Sequence, residues 1–241
     1  PVYAFYGFVR YADEIVDSFF EYPQKEMLEE FIDDTYKAIE RKISTNPILD
    51  SFQMVVNRYG IEKEHIHAFL ESMRMDLYNH HYDGQTIKQY IYGSAEVVGL
   101  MCLRIVYHNN DEQYASLKLY ARKLGEAFQK VNFLRDLQSD YSDRSRVYFP
   151  EMDGKNLTQE IKIQIEQQIN QDFDEAHEGI RMLDKKSRFG VYLAYIYYQR
   201  LFRKIKRSEP QTIMSGRIRI ANSRKLCLLA QAYVRNSANL I

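Results

Sequence analysis

Apolar residues recur along most of this chain at helical spacing. In IKIQIEQQINQDF, Ile161, Ile165, Ile169 and Phe173 return at every fourth position, the stripe of an amphipathic helix. Pro23, Pro47, Gly60, Gly84, Gly154 and Gly216 punctuate the pattern. Between them it predicts helices at 2–21, 25–43, 48–58, 62–81, 86–107, 111–141, 158–184, 188–207 and 217–238. Strand signals are nearly absent, since the Asp83-Gly84 turn dipeptide is flanked by helical patterns. No linker, low-complexity tract or internal repeat interrupts residues 1–241. The expected fold is one all-α domain.

Composition narrows the function classes. Apolar residues make up 45% of the chain, enough for a sizeable core, and the 33 basic residues are balanced by 33 acidic ones. That balance argues against a nucleic-acid binder driven by bulk charge. Cys102 and Cys227 have neither metal nor disulfide spacing, which favours a reducing, cytosolic setting. No apolar run reaches the roughly 18 residues of a membrane span. GVYLAYIYYQRLF, broken by Gln199 and Arg200, reads as a buried helix. The chain opens at Pro1 already inside an apolar pattern, so a further N-terminal segment is expected before it.

The candidate chemistry lies in two acidic pairs. Asp13 and Asp17 sit four apart in FYGFVRYADEIVDSFF, with Arg10 just before them. Chance alone supplies several such pairs in a chain with 33 acidic residues. FQKVNFLRDLQSDY changes the weighing, because Asp136 and Asp140 repeat the spacing, Asn132 lies four residues earlier, and Arg135 adjoins Asp136. Residues four apart share a helix face, so two helices each offer a row of short oxygen ligands beside an arginine. Mg²⁺ takes hard oxygen ligands, commonly a few carboxylates together with substrate phosphate oxygens. Arginine clasps phosphate oxygens with paired donors. The chemistry that wants this pattern is diphosphate binding through a divalent ion.

These residues carry a resemblance. YADEIVD and NFLRDLQSD resemble the first and second aspartate-rich motifs of the squalene/phytoene synthase family. FYGFVRYAD, MRMDL (73–77), GSAEVVGLM (93–101), LGEAFQKVNFLRD (124–136), RVYFP (146–150) and RIRIANSRKL (217–226) have counterparts in the same order. The resemblance covers essentially the whole chain and implies a single isoprenoid-synthase-type helical bundle around a central active-site cavity. It also implies that Asp13, Asp17, Asn132, Asp136 and Asp140 bind Mg²⁺, with Mn²⁺ as an alternative. Tyr6, Arg10, Gln129, Arg135 and Tyr198 match substrate-contacting positions. Ser145 departs from a glycine common before RVYFP.

The implied reaction is head-to-head condensation of two prenyl diphosphates through a cyclopropylcarbinyl diphosphate. GSAEVVGLM and MRMDL look closest to bacterial phytoene synthases, so geranylgeranyl diphosphate is the expected substrate and phytoene the product. The alternative is squalene or dehydrosqualene from farnesyl diphosphate, with NADPH needed only for squalene. A reading from another class is a helical scaffold that kept the fold and lost the chemistry; it predicts eroded aspartate rows, and both are intact.

Other features have a bland and a sharp reading. The 20 tyrosines and 13 phenylalanines are mostly core, although Tyr6, Phe8, Tyr11, Phe128 and Phe133 lie near the motifs, where aromatic faces stabilise an allylic cation. Gly93, Ser94, Ala95 and Gly99 permit close helix packing or flank a substrate tunnel. His65, His67, His80 and His81, with Glu62-x-x-His65, invite a metal reading, but a di-iron bundle needs such an element from each of two helices. RKIKR (203–207) and RIR (217–219) read as a solvated surface, or as peripheral contact with anionic lipid at the inner membrane face.

Overall fold

The computed structural model describes residues 1–78, 82–142, 146–152 and 156–241. The expectations attached to His80, His81, Ser145 and Gly154 lie outside these residues. Among the described residues the chain forms α1 (Val2–Ser18), α2 (Gln24–Arg41), α3 (Pro47–Tyr59), α4 (Lys63–Tyr78), α5 (Thr86–Ile91), a π-helical turn (Tyr92–Glu96), α6 (Val97–Val106), α7 (Asp111–Ser142), α8 (Gln159–Met182), α9 (Lys185–Lys206), α10 (Pro210–Ser215) and α11 (Asn222–Ser237). No β-strand occurs among them. The all-α expectation holds, and none of these helices is long and apolar enough to cross a membrane.

The helix ends have local causes. Asn46 caps α3 by accepting from the Ile48 and Leu49 amides at 3.0 and 3.4 Å, Pro47 occupies the first turn, and Gly60 closes the helix in the left-handed region at φ 65°. Helix α1 ends before the expected 21 because Gln24, the first residue of α2, donates its side-chain amide to the Ile15 and Val16 carbonyls. That bond satisfies carbonyls a helix end leaves unpaired.

Three departures from the expected helices follow from pattern length. The stretch 86–107 contains a π turn, which an apolar pattern on nearly every face does not reveal. Helix α10, with Pro210 at its first turn, is only six residues long and too short for a periodic signal. Residues 217–221 precede α11 and are not helical. Ile218 and Ile220 are buried while Arg217 and Arg219 are exposed, so RIRI follows a period of two rather than 3.6.

The chain divides into two units, Pro1–Asn79 with Gln89–Lys118, and His80–Lys88 with Leu119–Ile241. In the first, α1 to α4 and α6 pack around a shared core. Phe8 is fully buried and stacks on Phe52 with ring centroids 3.7 Å apart, and Phe69 sits tilted beside it. Each such ring contributes about 1.5–3 kcal/mol by leaving water. Gly93 of the π turn lies so close to α4 that an added Cβ would stand 2.3 Å from the Ala68 carbonyl. For Gly93, then, close packing is what the structure displays.

In the second unit α8 and α11 both pack on α9. Ile165, Ile169 and Phe173 of the α8 stripe are wholly buried. Gly179 of α8 touches α7 closely enough that a Cβ would fall 2.1 Å from that of Tyr120. Buried Lys162 bonds Glu166 and donates to the Lys206 carbonyl at 3.0 Å, closing the end of α9. Asp172 receives Lys123 at 2.9 Å and Lys130 at 2.7 Å, and Glu126 completes the cluster.

Candidate active site

The first aspartate motif occupies the exposed side of α1. Arg10 donates to Asp13 at 2.7 Å and also pairs with Glu14, while Ser18 donates to Glu14 at 2.7 Å. Partial burial pushes the Asp13 carboxyl above its ordinary range; the Asp17 charge adds to that push, and Arg10 opposes it. Tyr6, on the same helix, is 62% exposed. Phe8 and Tyr11 turn the other way, Phe8 into the core and Tyr11 onto Phe31 at 4.9 Å. Phe8 is thus a core residue with no face left for a substrate cation.

The second motif occupies the C-terminal half of α7. Asn132 accepts from the Tyr198 hydroxyl of α9 at 3.1 Å and donates to Gln129 at 3.4 Å. Arg135 folds onto its neighbour Asp136, with Nε 3.1 Å from both carboxylate oxygens and Nη2 2.5 Å from Oδ2. Burial alone would lower the Arg135 pKa, but the Asp136 contact outweighs it and the net direction is upward. Asp140 is buried, and its carbonyl accepts from the Arg146 amide at 2.8 Å. Tyr198 stacks on Phe128 with centroids 4.0 Å apart, and burial raises its phenol pKa against the pull of Arg135 and Asn132. Phe133 stacks at 4.2 Å on Tyr148 of RVYFP and belongs to the packing there.

Sequence reasoning missed Arg217. Read as part of a solvated basic tail, it places Nε 2.8 Å from Asp136 Oδ1, opposite the grip of Arg135. The extended RIRI segment makes this reach possible, and Lys204 holds that segment by donating to the Arg219 carbonyl at 2.7 Å. The available signal was the RIRIANSRKL counterpart together with the period-two alternation. The structure thus brings Gln129, Asn132, Arg135, Asp136, Tyr198 and Arg217 into one connected set, and joins Arg10 to Asp13 in the other.

All candidate metal ligands are hard oxygen donors, which suits Mg²⁺. Among the described residues no group of three or more His, Cys, Asp or Glu side chains is gathered to hold a metal alone. The donor set fits an ion whose remaining coordination comes from substrate or water. The histidines are engaged differently. Glu62 pairs with His65 at 3.4 Å but gives its other oxygen to Arg104 at 2.9 Å, and His67 lies 3.3 Å from the Tyr36 hydroxyl.

The family model described as squalene/phytoene synthase matches residues 1–224. Phytoene synthase 1, chloroplastic, of Solanum lycopersicum is 26% identical over 98% of the chain, which spans 61% of that relative. Phytoene synthase 2, chloroplastic, of the same plant is 28% identical over 98% of the chain and 81% of its own length. Among solved structures, a dehydrosqualene synthase in complex with ligand aligns at TM-score 0.80 and 21% identity, covering 98% of this chain and 86% of that one. Squalene synthase HpnC from Alicyclobacillus acidocaldarius aligns at TM-score 0.74 and 18% identity, covering 86% and 82%.

Proposed function

The chain belongs to the squalene/phytoene synthase family, and on that premise we propose that it is a Mg²⁺-dependent prenyltransferase joining two geranylgeranyl diphosphates head to head to give phytoene. The observation that carries this is the pair of intact aspartate rows, each with an arginine already on a carboxylate. The chloroplastic phytoene synthases among its relatives support the choice of substrate. The 241 residues act as one catalytic domain in this reading.

Asp13, Asp17, Asn132, Asp136 and Asp140 would hold Mg²⁺, which when bound neutralises diphosphate charge and stabilises it as a leaving group. Arg10, Arg135 and Arg217 bring guanidinium donors that bind phosphate oxygens as the carboxylates turn to metal. Gln129 and Tyr198 fix Asn132, and Tyr6 contacts substrate. In the first half-reaction one substrate loses diphosphate, and its allylic cation alkylates the double bond of the second. Loss of a proton closes the cyclopropane of the cyclopropylcarbinyl diphosphate. In the second, that diphosphate leaves, the cation rearranges, and a further proton loss gives phytoene. Apolar and aromatic side chains exclude water from both cations.

Squalene or dehydrosqualene formation from farnesyl diphosphate is the second reading, favoured by the solved structures of that chemistry with the same fold. Incubation with Mg²⁺ and labelled geranylgeranyl or farnesyl diphosphate, with and without NADPH, separates the two. Phytoene from the longer substrate without NADPH is expected. Hydrocarbon from farnesyl diphosphate alone transfers the assignment to the second reading, and no hydrocarbon from either overturns both. Asp13→Asn and Asp136→Asn should each lower turnover at least about 100-fold, the scale of losing one transition-state charge contact, with unchanged circular dichroism.

A further inference from the structure

We propose that Arg219 is a steering residue, whose charge draws the diphosphate group of the substrate toward Arg217 and Asp136 without contacting it. This rests on the proposed function in one respect, that Asp136, Arg135 and Arg217 receive a diphosphate. The chain as a whole is electrically neutral, yet its charge is unevenly spread. From Arg200 to Ile241 it carries ten lysines and arginines against a single acidic residue, Glu209. Of the 33 basic and 33 acidic residues, 1–199 therefore keep 23 and 32. A multiply charged anion is disfavoured by the longer part and attracted by the shorter one.

Arg219 stands where that attraction meets the candidate site. In the extended RIRI segment Ile218 and Ile220 are buried, so Arg217 and Arg219 leave it on the same, exposed side. Two residues of extended chain separate their Cα atoms by about 7 Å. Arg217 reaches Asp136 at 2.8 Å, whereas Arg219 forms no ion pair among the described residues. Lys204, which donates to the Arg219 carbonyl at 2.7 Å, brings a second cation with no carboxylate partner to the same place. Asp136 already receives Arg135 on one side and Arg217 on the other, so Arg219 acts from behind them.

An attraction of this kind follows charge and is indifferent to side-chain shape. It also fades with salt in a way a direct hydrogen bond does not. Over about 10 Å it is nearly unscreened at about 0.01 M salt, where the Debye length is about 30 Å, and strongly screened at about 0.15 M, where it is about 8 Å. For an exposed cation at that distance and a ligand of about two or three charges, Coulomb attraction in water is worth about fourfold in affinity at the lower salt. Reversing the charge doubles the free-energy change and so squares the factor.

The test is titration calorimetry of the 241-residue chain with inorganic diphosphate and Mg²⁺, at about 0.01 M and about 0.15 M salt. At the lower salt Arg219→Lys should bind as the wild type does, Arg219→Gln about fourfold more weakly and Arg219→Glu about fifteenfold more weakly. At the higher salt the spread between the Lys and Glu variants should shrink to about threefold. Equal affinities across the series overturn the proposal. So does a loss that Arg219→Lys fails to restore, or one that salt leaves unchanged, since those mark a direct contact or a disturbed fold. A flat series beside normal wild-type binding removes this proposal alone. Failure of the wild type to bind diphosphate at all overturns it together with the reading of the site.

Discussion

At Asp136 two guanidiniums share one carboxylate, Arg135 from the adjacent position and Arg217 from eighty-one residues downstream. Arg217 is about half exposed, so its ion pair contributes little to stability, under about 1 kcal/mol. In the proposed reaction its contribution to binding a diphosphate would be larger, because hydrogen bonds to charged groups contribute about 1.5–3 kcal/mol. Arg217→Ala is therefore expected to leave the thermal midpoint nearly unchanged while lowering kcat/KM at least about tenfold; steady-state kinetics beside a melting curve would check it. Asp13, Asp17, Asp136 and Asp140 were legible as a pattern because i, i+4 spacing survives in a linear sequence. The Arg217 contact was not, since it depends on a five-residue stretch leaving the helical path.

Among the elements, α7 and α8 meet through a glycine. Tyr120, inside the long helix α7, fills the space that any side chain at Gly179, in the last turn of α8, would occupy. Gly179→Ala should therefore destabilise by about 1–3 kcal/mol despite the better helix propensity of alanine. A urea titration measures this, and a neutral or stabilising result would contradict the packing. The long helices were readable because stripes such as Ile161 to Phe173 persist over several turns. Helix α10 and the π turn were not, since six residues hold fewer than two turns and a run apolar on every face conceals an extra residue.

For the whole molecule, half-buried ion pairs tie stability to pH. Glu62 in one unit and Glu126 in the other are both pushed up by burial, yet Arg104 in the first case and Lys130 with Lys123 in the second outweigh that and hold them below the ordinary 4.5. A depressed carboxylate favours the folded state above its unfolded pKa, and that stability is lost as pH falls through the folded pKa. Urea midpoints should be level near neutrality and decline once pH drops below about 4.5. Glu126→Gln should flatten part of that decline. Lysines 123 and 130 meeting Asp172 across α7 and α8 carried no sequence signal, because partners more than forty residues apart are paired only by the fold.

The π turn at Tyr92–Glu96 bears on how length changes are tolerated. A π turn is an α-helix holding one surplus residue, so the helix on either side of it keeps a common phase. Removing Ser94, whose hydroxyl donates to the Tyr90 carbonyl at 2.8 Å, would restore an uninterrupted α-helix with Val97 and Met101 still facing the core. Removing Cys102 from α6 would instead swing all that follows by about 100° and turn buried Ile105 away from the core. A chain lacking Ser94 should stay soluble and helical, and one lacking Cys102 should not. By this reasoning the π turn is the place in the first unit where a one-residue gap between relatives can be absorbed.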